Sequence, residues 1–126
     1  MPFTRTGIIL YVRKYAECVA FYRDILGLDL LFQKPDLTCF AFGDSYLMVE
    51  VDDRPSMDIE RGRPATRLRM NVPDVRKRAD ELLRQGIAVD YREEDWGTVA
   101  QFDDPDGNLC SFKDDEKFEE QVRRRS

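Results

Sequence analysis

Histidine is missing from all 126 residues. Its absence removes the commonest general base, the Ser-His and Cys-His nucleophile pairs and the commonest transition-metal ligand. No apolar run approaches the roughly 20 residues that a membrane-spanning helix needs, so no membrane partner is expected. The opening Met-Pro-Phe-Thr-Arg-Thr lacks the apolar stretch of a signal peptide, and the expected location is cytoplasmic. Cysteine is scarce: Cys18, Cys39 and Cys110 are odd in number, without metal-type spacing. They read as small buried hydrophobes of a reducing compartment. The chain also lacks an excess of positive charge. A net charge of −5 argues against nucleic acid as the partner and is compatible with a cationic small molecule.

What is present is a repeat. Gly7-Ile8-Ile9-Leu10-Tyr11-Val12 reads as a strand leading into a helix that ends at Gly27. Arg67-Leu68-Arg69-Met70-Asn71-Val72 reads as a strand leading into a helix that ends at Gly86. Self-similarity at a fixed spacing is fold information before any motif is considered. It pairs Gly7 with Arg67, Tyr15 with Val75 and Glu50 with Ser111.

The first helix is expected over 14–26, with Tyr15, Val19, Tyr22 and Leu26 as one apolar stripe and Gly27 just past its end. The second is expected over 73–85, with Pro73 in the first turn and Val75, Ala79, Leu82 and Leu83 on one side. Strands follow at 29–34, 38–42 and 46–51 in the first half and at 88–92, 98–102 and 109–112 in the second. Gly43-Asp44 and Asp103-Asp104-Pro105-Asp106-Gly107-Asn108 supply the turns. The fold class is α+β, two tandem β-α-β-β-β modules in a single domain. Module 1 covers about 6–51, a linker 52–64 and module 2 about 65–113. The tail, 114–126, is expected to be a short helix with a solvated, frayed end. Its acidic residues come early and its arginines late, as a helix dipole prefers.

Strand alternation sorts side chains onto two faces. Ile8, Leu10, Val12, Leu68, Met70 and Val72 are expected to pack under the helices, with Leu47, Val49, Val51, Cys110 and Phe112. The opposite face carries Tyr11, Tyr46, Met48, Glu50, Arg67, Arg69, Asn71, Ser111 and Lys113, with Gly7, Ile9 and Leu109. Alternation leaves two readings open: a solvated face with cross-strand charge pairs, or a cavity lined by aromatic and polar groups.

The paired modules, the segment Ala20-Phe21-Tyr22-Arg23-Asp24-Ile25-Leu26-Gly27-Leu28 and the turn Asp104-Pro105-Asp106-Gly107-Asn108-Leu109 resemble the vicinal oxygen chelate superfamily. That group includes glyoxalase I, bleomycin-resistance proteins and extradiol dioxygenases. The resemblance covers about Gly7 to Phe112. It implies curved mixed sheets around a cavity, with helices on the outer face. In metal-dependent members four ligands, usually His or Glu, come from the first and last strands of each module. Here those places hold Gly7, Glu50, Arg67 and Ser111, of which only Glu50 matches. One carboxylate does not hold a divalent ion, so no metal and no cofactor is expected. The positive charge of Arg67 is expected near the metal's place, paired with Glu50.

Two functions follow. The first is a metal-independent protein that binds a planar or cationic small molecule, in the manner of drug-sequestering, antibiotic-resistance members of the superfamily. Trp96, beside Glu93, Glu94 and Asp95, is the stacking candidate, and a homodimer is the expected assembly. The second is a metal-free acid–base enzyme, an isomerase or lyase. Glu50 is its candidate catalytic base, and Arg67, Arg69 or Tyr11 stabilises an oxyanion.

Overall fold

The computed structural model describes residues 2–55, 62, 65–103, 105 and 108–124. Strand β1 (Arg5–Val12) leads into α1 (Tyr15–Ala20), which continues as a π-helical turn over Phe21–Ile25. Strands β2 (Leu30–Lys34), β3 (Leu37–Phe42) and β4 (Ser45–Val51) complete the first half. The second half has β5 (Thr66–Val72), α2 (Val75–Arg84), β6 (Asp90–Glu94), β7 (Gly97–Asp103) and β8 (Leu109–Asp114), and α3 (Asp115–Arg124) follows. The eight described strands form one sheet in the order β2-β3-β4-β1-β5-β8-β7-β6. The fold is the expected α+β pair of β-α-β-β-β units. Within each unit the first and last strands run parallel. The units meet at an antiparallel ladder of β1 with β5, from Arg5 opposite Asn71 to Leu10 opposite Thr66.

Both helix ends expected at glycine are left-handed, with φ of 72° at Gly27 and 82° at Gly86. The N-cap of α2 is Asp74, whose carboxylate accepts the Lys77 N–H at 3.1 Å. Pro73 therefore precedes the cap instead of sitting in the first turn. The first helix departs more. The Leu26 N–H donates to the Phe21 carbonyl, five residues back, at 3.0 Å. This wider turn carries Leu26 off the apolar stripe and leaves it exposed. Tyr15, Val19 and Tyr22 stay packed with Phe40 and Val49, and Leu28 joins them. Leu83 likewise ends exposed at the edge of the α2 stripe.

Two expectations about faces are corrected. Ile8 and Leu68 lie opposite each other on the helix side, yet Leu68 is half-exposed. Helix α1 packs against β4 and α2 against β7 and β8, so the central strands lie between the two footprints. The second correction concerns the tail. Helix α3 docks through Phe118 on the other side of the sheet, the inner face, while Arg123 and Arg124 near its end are exposed as expected. Phe118 is buried there with Ile9, Phe32, Cys39, Tyr46 and Met48, and Val122, one turn on, packs against the same cluster. Helix α3 thus sits inside, where only outer helices were expected.

The expected linker falls largely on 56–61 and 63–64, the Asp-Pro-Asp-Gly turn on 104, 106 and 107, and the tail's end on 125–126. These lie outside the described residues. Among the described residues no helix is long and apolar enough to cross a membrane.

Candidate functional site

Alternation along four inner-face strands aims one set of side chains at a common space. Tyr11 comes from β1, Met48 and Glu50 from β4, Arg67 and Arg69 from β5, and Lys113 from β8. The turn after β6 adds Trp96, and α3 closes one wall with Phe118 and Gln121. Together they enclose a cavity of about 320 Å³. A larger hollow of about 530 Å³ touches the other side of Arg67, near Val89, Phe102 and Cys110. The smaller space is the better candidate, because the inner-face polar groups converge on it.

Six residues expected at a site line this cavity: Tyr11, Met48, Glu50, Arg67, Arg69 and Trp96. The other three do not. The Tyr46 hydroxyl donates to Asn71 Oδ1 at 2.8 Å, and its ring lies 4.4 Å from that of Phe118. The Asn71 Nδ2 donates to Asp115 at 3.4 Å. Ser111 Oγ accepts from Arg69 Nε at 2.9 Å. Tyr46 and Asn71 lie beneath the docked α3, and Ser111 holds Arg69 in place. Lining residues beyond the expected set include Lys34, Gln101, Lys113, Phe118 and Gln121. Strand alternation carries the signal for Lys34, Gln101 and Lys113. For Phe118 the only local signal is its spacing of four from Val122.

The cavity carries four cationic side chains, Lys34, Arg67, Arg69 and Lys113, against two carboxylates, Asp36 and Glu50. The guanidiniums of Arg67 and Arg54 lie 5.7 and 5.6 Å from the Tyr11 ring centre. Lys113 is 2% exposed, donates to the Trp96 carbonyl at 3.0 Å and to Asp114 at 2.9 Å, and sits 5.3 Å from the Trp96 ring centre. Burial lowers its pKa, as do the charges of Arg69 and Lys34, against the opposing pull of Asp114. Burial raises the Glu50 carboxyl, helped by Asp36 and Asp53. Arg69 exerts the larger restraint on that rise, and Arg67 a smaller one. Burial also raises Tyr11, where Arg67 opposes and Glu50 adds to the shift.

The four places that would supply metal ligands do not fit a divalent ion. A Cβ on Gly7 would run into the Tyr46 ring, so that ring fills the room a ligand side chain would need. Arg67 is permanently cationic, and Ser111 is a neutral oxygen engaged by Arg69. Glu50 alone offers a suitable donor. Among the described residues no group of three or more Cys, Asp or Glu gathers to hold a metal ion.

Comparison with known proteins agrees with this architecture. The family model described as Glyoxalase/Bleomycin resistance protein/Dioxygenase superfamily matches residues 5–112. An uncharacterized protein of Bacillus subtilis, YraH, is 28% identical over 119 residues, spanning 83% of this chain and 93% of its own. Among solved structures, the NAD-dependent benzaldehyde dehydrogenase of Legionella pneumophila superposes with a TM-score of 0.70 at 17% identity. That match covers 86% of this chain and 96% of the other. A superfamily member from Vibrio splendidus gives 0.61 at 19% identity, covering 87% and 97%. At such identities the likeness speaks for the fold alone.

Proposed function

Because the chain belongs to the glyoxalase/bleomycin resistance protein/dioxygenase superfamily, we propose that it is a metal-independent small-molecule-binding protein. One observation carries the reading. The inner face encloses a cavity lined by Tyr11, Met48, Trp96 and polar groups, while three of the four places for metal ligands hold a glycine, an arginine and an engaged serine, leaving Glu50 alone. Such a mixture of apolar walls and a few convergent polar groups is the usual make-up of a ligand pocket. Its volume, about 320 Å³, lies near the lower end of the range for such pockets and suits a small planar compound.

A thermal-shift screen of planar organic compounds, with and without EDTA, tests the reading. Stabilisation by an organic compound that persists in EDTA is expected. Stabilisation by Ni²⁺, Zn²⁺ or Mn²⁺ alone would overturn it.

A second reading has its own supporting observation: the carboxyl of Glu50 is raised by burial inside the cavity, as suits an acid–base group. In this version Glu50 moves a proton and Arg67 and Arg69 stabilise the developing negative charge, with no metal. Turnover that vanishes in Glu50→Gln while binding persists would select it.

A homodimer belongs to the same proposal. Exposed Phe3, Phe42 and Leu68 surround a mostly apolar hollow of about 350 Å³ beside the central ladder, a fit for a second copy. Sedimentation of wild type against Leu68→Lys reads this directly.

A further inference from the structure

The turn that carries Trp96 is fastened more firmly than its length requires. Strands β6 and β7 are joined by Asp95 and Trp96 alone, with Glu94 opposite Gly97. Two-residue turns of this kind close on their own backbone, most readily with Asn-Gly or Asp-Gly in the loop. Here Lys113 reaches in from β8, where it stands opposite Val99 of β7. Its Nζ donates to the Trp96 carbonyl at 3.0 Å and lies 5.3 Å from the centre of the indole. Gly97, at a φ of 139°, makes room for that reach. A Cβ there would run into the ammonium of Lys113 and the carboxylate of Asp114. Asp114 adds a second tie, accepting the Thr98 N–H at 2.7 Å and the Lys113 Nζ at 2.9 Å.

Burying an ammonium is costly even when it is paired, and Lys113 is 2% exposed. What that burial holds still is the indole. Trp96 is 42% exposed and, among the described residues, lies outside the buried apolar clusters. Its ring lines the cavity instead, with Tyr11 and Met48. A loosely held aromatic at a turn loses freedom when a ligand stacks on it, and that loss subtracts from affinity. A ring whose backbone is tied to β8, and which has a cation beside it, has already lost that freedom. Only a flat partner meets such a surface across its whole area.

We propose that Lys113 is a positioning residue: it holds the Trp96 indole as a fixed platform in the cavity wall, so that the cavity selects flat aromatic rings over puckered rings of the same size. The inference rests on the small-molecule-binding reading and adds the shape rule of that site and the residue that enforces it.

Two neutral probes of one size separate the shapes: benzamide, with a flat ring, and cyclohexanecarboxamide, with a puckered one. Binding to the full chain is measured by titration calorimetry, and contact with the wall by the indole N–H signal of the single tryptophan in nitrogen-15 spectra. Benzamide is expected to bind about fivefold tighter, as ring stacking gives, and to shift that signal. Lys113→Met keeps most of the stem and removes the ammonium, and it is expected to abolish the preference. Trp96→Leu is expected to do the same. Adding Lys113→Met to Trp96→Leu should change nothing further, because the lysine acts through the ring.

A preference that survives Lys113→Met, or a further loss in the double variant, would overturn the positioning role. Equal binding of the two probes to wild type would overturn the shape rule and leave the small-molecule reading standing. Failure of both probes would also overturn it, and the EDTA-controlled screen would then decide the broader reading separately. One measurement needs no variant. Time-resolved fluorescence anisotropy of the wild-type chain is expected to show an indole that turns only with the whole molecule. An indole turning freely within nanoseconds would overturn the proposal even if Lys113→Met did not fold.

Discussion

The ring of Tyr46 occupies the space that a side chain at Gly7 would fill. The two residues face each other across the parallel pairing of β1 with β4. Phe118 then covers the ring from above. Gly7→Ala is therefore expected to destabilise by about 1–3 kcal/mol, the usual cost of forcing atoms into a packed core. Combined with Tyr46→Ala, the loss should fall short of the sum of the two single losses, because the second change removes the clash. Denaturant unfolding of the four proteins checks this. Additive losses would contradict the packing described.

Phe118 anchors α3 to the inner face through Phe32 and Tyr46. Phe118→Ala is expected to cost about 3 kcal/mol, typical of a buried phenylalanine. The damage should be local first. Amide hydrogen exchange is expected to speed up across 115–124, while the strands of the sheet keep their protection. Uniform loss of protection would mean that α3 is integral to the sheet's stability.

Asp114 joins three elements: it accepts from Thr98 N–H at 2.7 Å, from Lys113 at 2.9 Å and from Lys117 N–H at 2.9 Å. Burial tends to raise its carboxyl, but the bonds from Lys113, Lys117 and Thr98 prevail and hold it below the ordinary value. The folded state therefore binds this proton more weakly than the unfolded state. Its contribution is complete above the ordinary carboxylate range and is lost as pH falls through the lowered folded-state value. Asp114→Asn should cost about 1–3 kcal/mol at neutral pH and markedly less in strong acid. Melting curves across pH check the convergence.

Glu50 behaves in the opposite sense. Its carboxyl is raised in the fold by burial, so the folded state holds the proton more tightly. Stability then falls as pH rises from the ordinary value of 4.5 through the raised one, and the penalty is complete above it. Glu50→Gln should stay within about 0.5 kcal/mol of wild type in acid and be the more stable protein at neutral pH. A variant less stable at neutral pH would show that the carboxylate, through Arg69 or Arg67, gives more than its burial costs.

How far the sequence carried is clearest at particular residues. The repeat and the glycines at 27 and 86 were readable because they depend on local backbone rules. Alternation brought Tyr11, Met48, Glu50, Arg67 and Arg69 to one cavity for the same reason. The π-helical turn was not readable, because the apolar stripe through Tyr15, Val19 and Tyr22 suits an α-helix and says nothing of a later change in hydrogen bonding. Nor was the docking of α3. Only Phe118 and Val122 interrupt a charged tail, and what they touch lies far away in the chain. Tyr46, Asn71 and Ser111 sit on the predicted face, and contacts with α3 and Arg69 make them supports instead of lining.

The ladder between β1 and β5 has a mechanical consequence. Six residue pairs, from Arg5–Asn71 to Leu10–Thr66, join the halves by the same kind of bonds that join strands within each half. Among the described residues the halves meet through this ladder and not through a layer of side chains, which opposes the swing of one half away from the other. The cup behaves as one stiff shell. Helix α3, tethered by the Arg5–Glu119 ion pair at 3.1 Å and the buried ring of Phe118, is laid over that shell as a separate piece.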